Sequence, residues 1–181
     1  GGVLRYDPAA PDDPDRDRFI LSKGHGAPGL YAVLAAAGYL PREDLLTLRE
    51  LGSPLEGHPN MNRLAGVEAS TGSLGQGLSI AVGHAHALRL DRKDARVYVM
   101  TGDGETEQGQ VWEAAMHAGN NGLDNLTWIV DRNGFQQTDA VDEVQPLDPL
   151  EDKITAFGLE VRTIDGHSLD EVAEAFDWAR S

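Results

Sequence analysis

The segment Thr101-Gly102-Asp103-Gly104, followed after 28 residues by Asn133, constrains this chain more than any other feature. A short apolar run precedes each end, Val97-Tyr98-Val99-Met100 and Leu126-Thr127-Trp128-Ile129-Val130. This spacing predicts two strands joined by a helix. Such a βαβ unit places the C-terminal ends of both strands at one edge of a parallel sheet, where open α/β folds take their ligands. Asp103 and Asn133 are then neighbours. A carboxylate and an amide oxygen beside glycines at a helix N-terminus suit a hard divalent cation carrying a diphosphate.

Composition narrows the class of chain that holds this unit. With 181 residues, 15 basic and 30 acidic, the formal charge is −15, which repels nucleic acid and anionic lipid in bulk. Any phosphorylated ligand must therefore be held by local positive features, a metal or a second chain. Cysteine is absent, so disulfides and thiolate chemistry are excluded. No long apolar run or charged-then-apolar leader occurs, and we expect a cytoplasmic chain without a membrane partner. The length suits one domain, residues 1–181, large enough to bury roughly two-thirds of its unfolded surface. Both ends read as cut, with no initiator Met and a last segment in helical period.

Along the chain, Asp7 to Arg18 is rich in Pro and Asp and reads as a surface segment. Phe19-Ile20-Leu21 predicts a buried strand, and Ser22-Lys23-Gly24-His25-Gly26 a sharp turn into a helix from about Pro28 to Gly38. Arg42 to Glu50 predicts a short amphipathic helix, and Leu78 to Leu90 a longer one opened by Thr71-Gly72-Ser73-Leu74-Gly75-Gln76-Gly77. That glycine segment lacks the Lys-Ser/Thr of a P-loop and the spacing of a dinucleotide fingerprint. His84 and His86 lie two apart on that helix, on different faces, wrong for sharing a metal, and are expected to be structural. Glu105 and Glu107 are accounted for as carboxylates at the positive end of the next helix. Beyond Asn133 we expect a helix over Leu150 to Phe157, a strand over Leu159 to Ile164, and a helix from Ser168 capped reciprocally with Glu171. Asp165-Gly166-His167 reads equally as a strand-closing loop or a functional element.

Taken together, Gly102-Asp103-Gly104…Asn133, Ser22-Lys23-Gly24-His25-Gly26, Gly57-His58-Pro59, Thr71 to Gly77 and Val111-Trp112-Glu113-Ala114 resemble the transketolase family, in the family's order. The resemblance spans about Asp17 to Ser168. It implies a thiamine diphosphate-binding α/β fold, a mostly parallel sheet with helices on both faces. It further implies thiamine diphosphate with Mg²⁺ (or Ca²⁺) as cofactors, and transfer of a two-carbon ketol unit from a ketose phosphate to an aldose phosphate. By resemblance Asp103, Asn133 and the Phe135 carbonyl are metal ligands, and Gly104 donates to the diphosphate. His25 contacts the diphosphate, and His58 hydrogen-bonds the donor sugar. Gly72 accepts from the aminopyrimidine, and Leu74 packs on the cofactor rings.

Activation of the cofactor needs a glutamate on the aminopyrimidine, which in the family comes from a second, pyrimidine-binding domain. We therefore expect the diphosphate-binding subunit of a split transketolase, completed by a C-terminal subunit in a heterotetramer. Two departures from the family pattern stand out: Ser73 where Pro is usual, and Gln108 where the family has a Glu of the acidic interface cluster. Glu113 still matches that cluster. The alternatives are ketol transfer to another acceptor in a specialised pathway, and a non-catalytic subunit that binds its partner.

Overall fold

In the computed structural model, which describes residues 2–137 and 139–181, a three-stranded parallel sheet runs in the order β1 (Arg18–Leu21), β2 (Val97–Gly102), β3 (Leu126–Asp131). β2 lies at the centre because it is apolar on both faces. Val97, Tyr98 and Val99 are all buried, the pattern of a strand covered on two sides. Its register pairs Leu21 with Met100 and Gly102 with Asp131, so all three strands end at one edge.

Helices cover both faces. α2 (Gln76–Leu90) and α3 (Gly109–Asn120) pack on the side of Ile20, Val97 and Val99. Their inward residues Leu78, Ala81, Val82, Ala85 and Leu88, and Val111, Ala114, Ala115 and Ala118, recur at helical period. Alanines dominate this face, which brings the helices close to the sheet. On the opposite face the Tyr98 ring meets Phe176 of α6 (Leu169–Trp178) edge-on, with centroids 5.8 Å apart. The Tyr98 hydroxyl is buried there without a hydrogen-bond partner among the described residues. Tyr98→Phe removes that orphan and keeps the ring, so it should stabilise the fold by about 1 kcal/mol, a rise in Tm of about 2–4 °C. Thermal denaturation of the two proteins checks this, and a lowered Tm would count against it.

A second apolar cluster joins α1 (Ala27–Ala37) to the segment after it through Tyr31, Leu34, Leu40, Leu55, Leu64 and Val67. The expected helix near Arg42 is a 3₁₀ run, Arg42–Thr47, in which Leu45 packs inward and Leu46 is exposed. Beyond β3 lie a two-stranded hairpin, β4 (Phe135–Gln136) with β5 (Asp139–Ala140), and two short helices, α4 (Val141–Val144) and α5 (Leu150–Thr155).

Three further expectations are corrected. The helix after Gly104 does not begin at Glu105. A 3₁₀ turn, Gly104–Glu107, comes first, Gln108 is extended (φ −71°, ψ 125°), and α3 starts at Gly109. Glu105 causes the break, since its side chain turns inward to bind backbone rather than lying on a helix surface. Residues 159–164 form no strand, because among the described residues no neighbouring strand offers them a ladder, although Leu159 packs on the main core. The reciprocal cap of α6 is half made: Ser168 Oγ accepts from Glu171 N–H at 3.4 Å, while Glu171 accepts from Asp165 N–H instead.

Candidate functional site

The three strands deliver their following residues to one edge. Ser22 leaves β1 with its N–H donating to Met100 O (2.8 Å), and Asp103 leaves β2 with its N–H donating to Asp131 O (3.1 Å). Asp103 and Asn133 therefore become neighbours, as the spacing predicts. The Asp103 carboxylate is 2 % exposed and accepts from Gly104 N–H (2.8 Å) and Gly134 N–H (2.6 Å). Among the described residues no basic side chain pairs with it; the nearby Lys23 ammonium is committed to Asp131 (2.6 Å). A buried carboxylate without a counter-charge is costly, and at the strand edge beside Asn133 this one is placed where a cation can offset that cost. Asn133 is exposed, and its Oδ1 accepts from Phe135 N–H (2.9 Å), with one lone pair remaining. Phe135 is exposed, and its carbonyl lies two residues on from Asn133. This all-oxygen set fits Mg²⁺ or Ca²⁺. Gly104 N–H, expected at a diphosphate, is occupied by Asp103 in this structure.

Two further loops close on the strand ends. Thr71 Oγ1 donates to Leu21 O (2.6 Å), and the backbones of Gly24 and of Thr71–Gly72 touch so closely that a Cβ on Gly24 would lie 2.7 Å from three of their atoms. Gly72 in turn (φ +144°) lies against the His58 ring, where a Cβ would meet Cδ2 at 2.9 Å. Tyr31 positions the His58 loop by donating to Glu56 O (2.9 Å) and His58 O (3.2 Å). Burial, with Glu56 second, raises the Tyr31 pKa, keeping it a donor. His25 sits exposed in a 3₁₀ turn, Gly24–Gly26, and His58 is exposed on its loop. Two imidazoles, an uncountered carboxylate, an amide and a Gly72 backbone thus share one rim. Leu74 is half-buried at its edge.

The outer residues stand apart from that rim. Gln108 is exposed and packs on Gly75 (φ +87°), where a Cβ would approach to 2.7 Å, and Glu113 is exposed on α3. Among the described residues neither hydrogen-bonds to the Asp103 carboxylate.

Glu105 is the residue that the expected helix-dipole role missed. It is 3 % exposed, and its Oε1 accepts from Ser22 Oγ and from Gly75 N–H (2.8 Å), while Oε2 accepts from Gly102 N–H (3.0 Å). One carboxylate thereby ties the ends of β1 and β2 to the start of α2. Ser22 also accepts from Gly77 N–H (3.1 Å). Gln136 is a second such residue, donating through Nε2 to Glu107 and lying against Gly104. No spacing rule marks these residues, since inward direction in a turn depends on what the other loops present.

His84 is half-buried on α2. Burial lowers its pKa, with Glu68 acting the other way more weakly. The native state then favours neutral His84, so its contribution is complete above the ordinary histidine range and is lost as pH falls below about 6.5. His84→Gln should flatten the stability profile between about pH 7 and 5, which urea titrations across that range can measure.

The chain matches the family model described as "Transketolase, thiamine diphosphate binding domain" over residues 2–181. It is 48% identical over 178 residues to the 6-deoxy-6-sulfo-D-fructose transketolase subunit of Clostridium sp. (strain MSTE9), covering 98% of this chain and 65% of that protein. It is 42% identical to an apulose-4-phosphate transketolase subunit of Phocaeicola vulgatus, covering 96% of this chain and 62% of that one. Against the transketolase of Rattus norvegicus identity is 46%, covering 98% of this chain and 29% of the longer protein. The chain thus spans less than two-thirds of these relatives' lengths. The crystal structure of transketolase from Campylobacter jejuni superposes with a TM-score of 0.92 at 37% identity, covering 98% of this chain and 29% of that one. No helix among the described residues is long and apolar enough to cross a membrane.

Proposed function

This chain belongs to the transketolase thiamine diphosphate-binding family, and from that premise we propose that it is the diphosphate- and metal-binding part of a ketol-transferring enzyme. The observation that carries the reading is the buried Asp103 carboxylate, uncountered by any base, beside Asn133 at the shared strand edge. Asp103, Asn133 and the Phe135 carbonyl would hold Mg²⁺ or Ca²⁺, whose charge offsets the carboxylate and part of that of a diphosphate. His25, exposed in its turn, donates to the diphosphate, and Gly104 N–H joins it when its bond to Asp103 is exchanged. The Gly72 carbonyl and the Leu74 side chain orient the aminopyrimidine and rings. His58, braced by Tyr31 and Gly72, hydrogen-bonds the donor sugar's terminal hydroxyl. When bound, thiamine diphosphate supplies the electron sink that lets a ketose give up a two-carbon unit to an aldose.

The glutamate that activates the cofactor comes, in this reading, from a separate C-terminal subunit, with Gln108 and Glu113 at the contact. Support for a split enzyme lies in two relatives that are named as subunits and match this chain over most of its length. In this reading two copies of each subunit assemble into a heterotetramer with two sites, and the cytoplasm is the expected location. Where the family's interface cluster has Glu, Gln108 cannot relay a proton, so coupling between paired sites is weakened while cofactor binding is not.

A second reading concerns the donor. The 48% identical relative is named for a sulfonated fructose, which favours a ketose bearing an anionic terminus other than phosphate. The test is native mass spectrometry of the full-length protein co-expressed with the neighbouring subunit, followed by turnover of sugar phosphates and sulfonated sugars. A heteromer that binds thiamine diphosphate and Mg²⁺ is expected, and its turnover should fall by at least about 100-fold in His58→Ala if that imidazole orients the donor. A chain that remains alone and cofactor-free beside its partner would end this proposal.

A further inference from the structure

The structure assigns a role to two histidines outside the candidate site: we propose that His86 of α2 and His117 of α3 form a bis-imidazole site for a divalent transition ion, with Zn²⁺ as its probe. Their Nε2 atoms lie 2.8 Å apart and the rings are set edge to face, with centroids 5.0 Å apart. Without metal, one ring donates its proton to the other. Exchange of that shared proton for an ion needs only a small opening, since two nitrogens about 2.0–2.1 Å from tetrahedral zinc stand about 3.3 Å apart.

The pair has room to open. His117 is exposed and His86 half-buried, so the rings can turn until both lone pairs converge without disturbing the alanine-lined core beneath. Its backbone frame is fixed. One turn further along the seam, the Arg89 guanidinium donates to Asn121 O (3.1 Å) and Gly122 O (2.8 Å), while Asn121 Nδ2 donates to His117 O (2.8 Å). At the other end Gln110 Nε2 donates to Ser79 Oγ (3.3 Å). The helices are thus held in register on either side of the imidazoles, which lowers the ordering cost of binding.

Imidazole nitrogens select zinc, copper or nickel over magnesium, so the site does not compete for the ion expected at Asp103. No group of three or more His, Cys, Asp or Glu that could hold a metal occurs among the described residues, so the remaining positions fall to water or to another chain. Glu113 lies one helical turn before His117 on the exposed side of α3. It adds negative charge beside the pair. In sequence the nearest histidine to His86 is His84, on a different face of α2; the tertiary fold pairs His86 instead with a residue 31 positions away.

The test is zinc titration of the full-length protein by calorimetry and thermal melting, with Mg²⁺ and thiamine diphosphate present so that the strand-edge site is occupied. The native protein should bind one more Zn²⁺ than His117→Gln or His86→Gln, and saturating zinc should raise its Tm by about 5 °C or more, a rise lost in either variant. Cu²⁺ provides an independent readout, with two coordinating nitrogens in the native spectrum at this site and one in each variant. Equal zinc stoichiometry and equal melting shifts in the native protein and both variants would overturn the assignment and leave a hydrogen-bonded pair alone.

Discussion

Glu105→Leu should destabilise the protein by about 3–5 kcal/mol, because it strands three donors, Ser22 Oγ and the N–H groups of Gly75 and Gly102, in a place that water does not reach. For a chain of this size the loss corresponds to a fall in Tm of about 10 °C. Leucine matches the carboxylate in bulk, so the cost comes from the orphaned donors rather than from a cavity. Glu105→Gln keeps one acceptor and turns an NH₂ toward N–H groups, giving an intermediate loss. Differential scanning calorimetry of the three proteins decides the matter. A Leu variant melting within about 2 °C of the native protein would show that the carboxylate is not what ties these loops together. Since the same three loops present His25, Gly72 and Asp103, cofactor affinity should fall with stability.

Asp103→Asn separates binding from folding. The substitution keeps the shape but removes the buried negative charge, and turns an NH₂ toward the N–H of either Gly104 or Gly134. Without metal, the native carboxylate is itself an uncompensated charge, so its loss offsets part of the broken hydrogen bonding. Apo stability should therefore change much less than in Glu105→Leu. Binding should behave in the opposite way. Losing the charged ligand should weaken Mg²⁺-dependent binding of thiamine diphosphate by at least about 100-fold. Calorimetric titration of the cofactor in magnesium, set beside the melting curve without either, measures both quantities. A normal affinity in Asp103→Asn would remove Asp103 from the metal site.

The contrast between these carboxylates, two positions apart, explains what was legible in the sequence. Asp103 was identifiable because its chemistry depends on position along a βαβ unit: a strand end, glycines on both sides and Asn133 at the end of the next strand. Glu105 was not. At a strand-to-helix turn its side chain could point along the helix or into the protein, and only the approach of Gly75 and Ser22 decides for the interior. The same limit applies to residues 159–164. Their apolar alternation suits a strand, but a strand exists only where a neighbour supplies hydrogen bonds, and none among the described residues does.

By itself, the sequence determined the parallel strands β1, β2 and β3, the helices α1, α2 and α3 between them, and the juxtaposition of Asp103 with Asn133. These follow from local periodicity and from glycines at strand ends, which act within a few residues. Tertiary structure alone decided that Glu105 faces inward, that Gly72 brings its loop onto His58, that Tyr98 buries an unpaired hydroxyl, and that His86 meets His117. Each of these joins segments far apart in the chain. Whether such a pair meets depends on helix docking and loop closure, which no local pattern encodes.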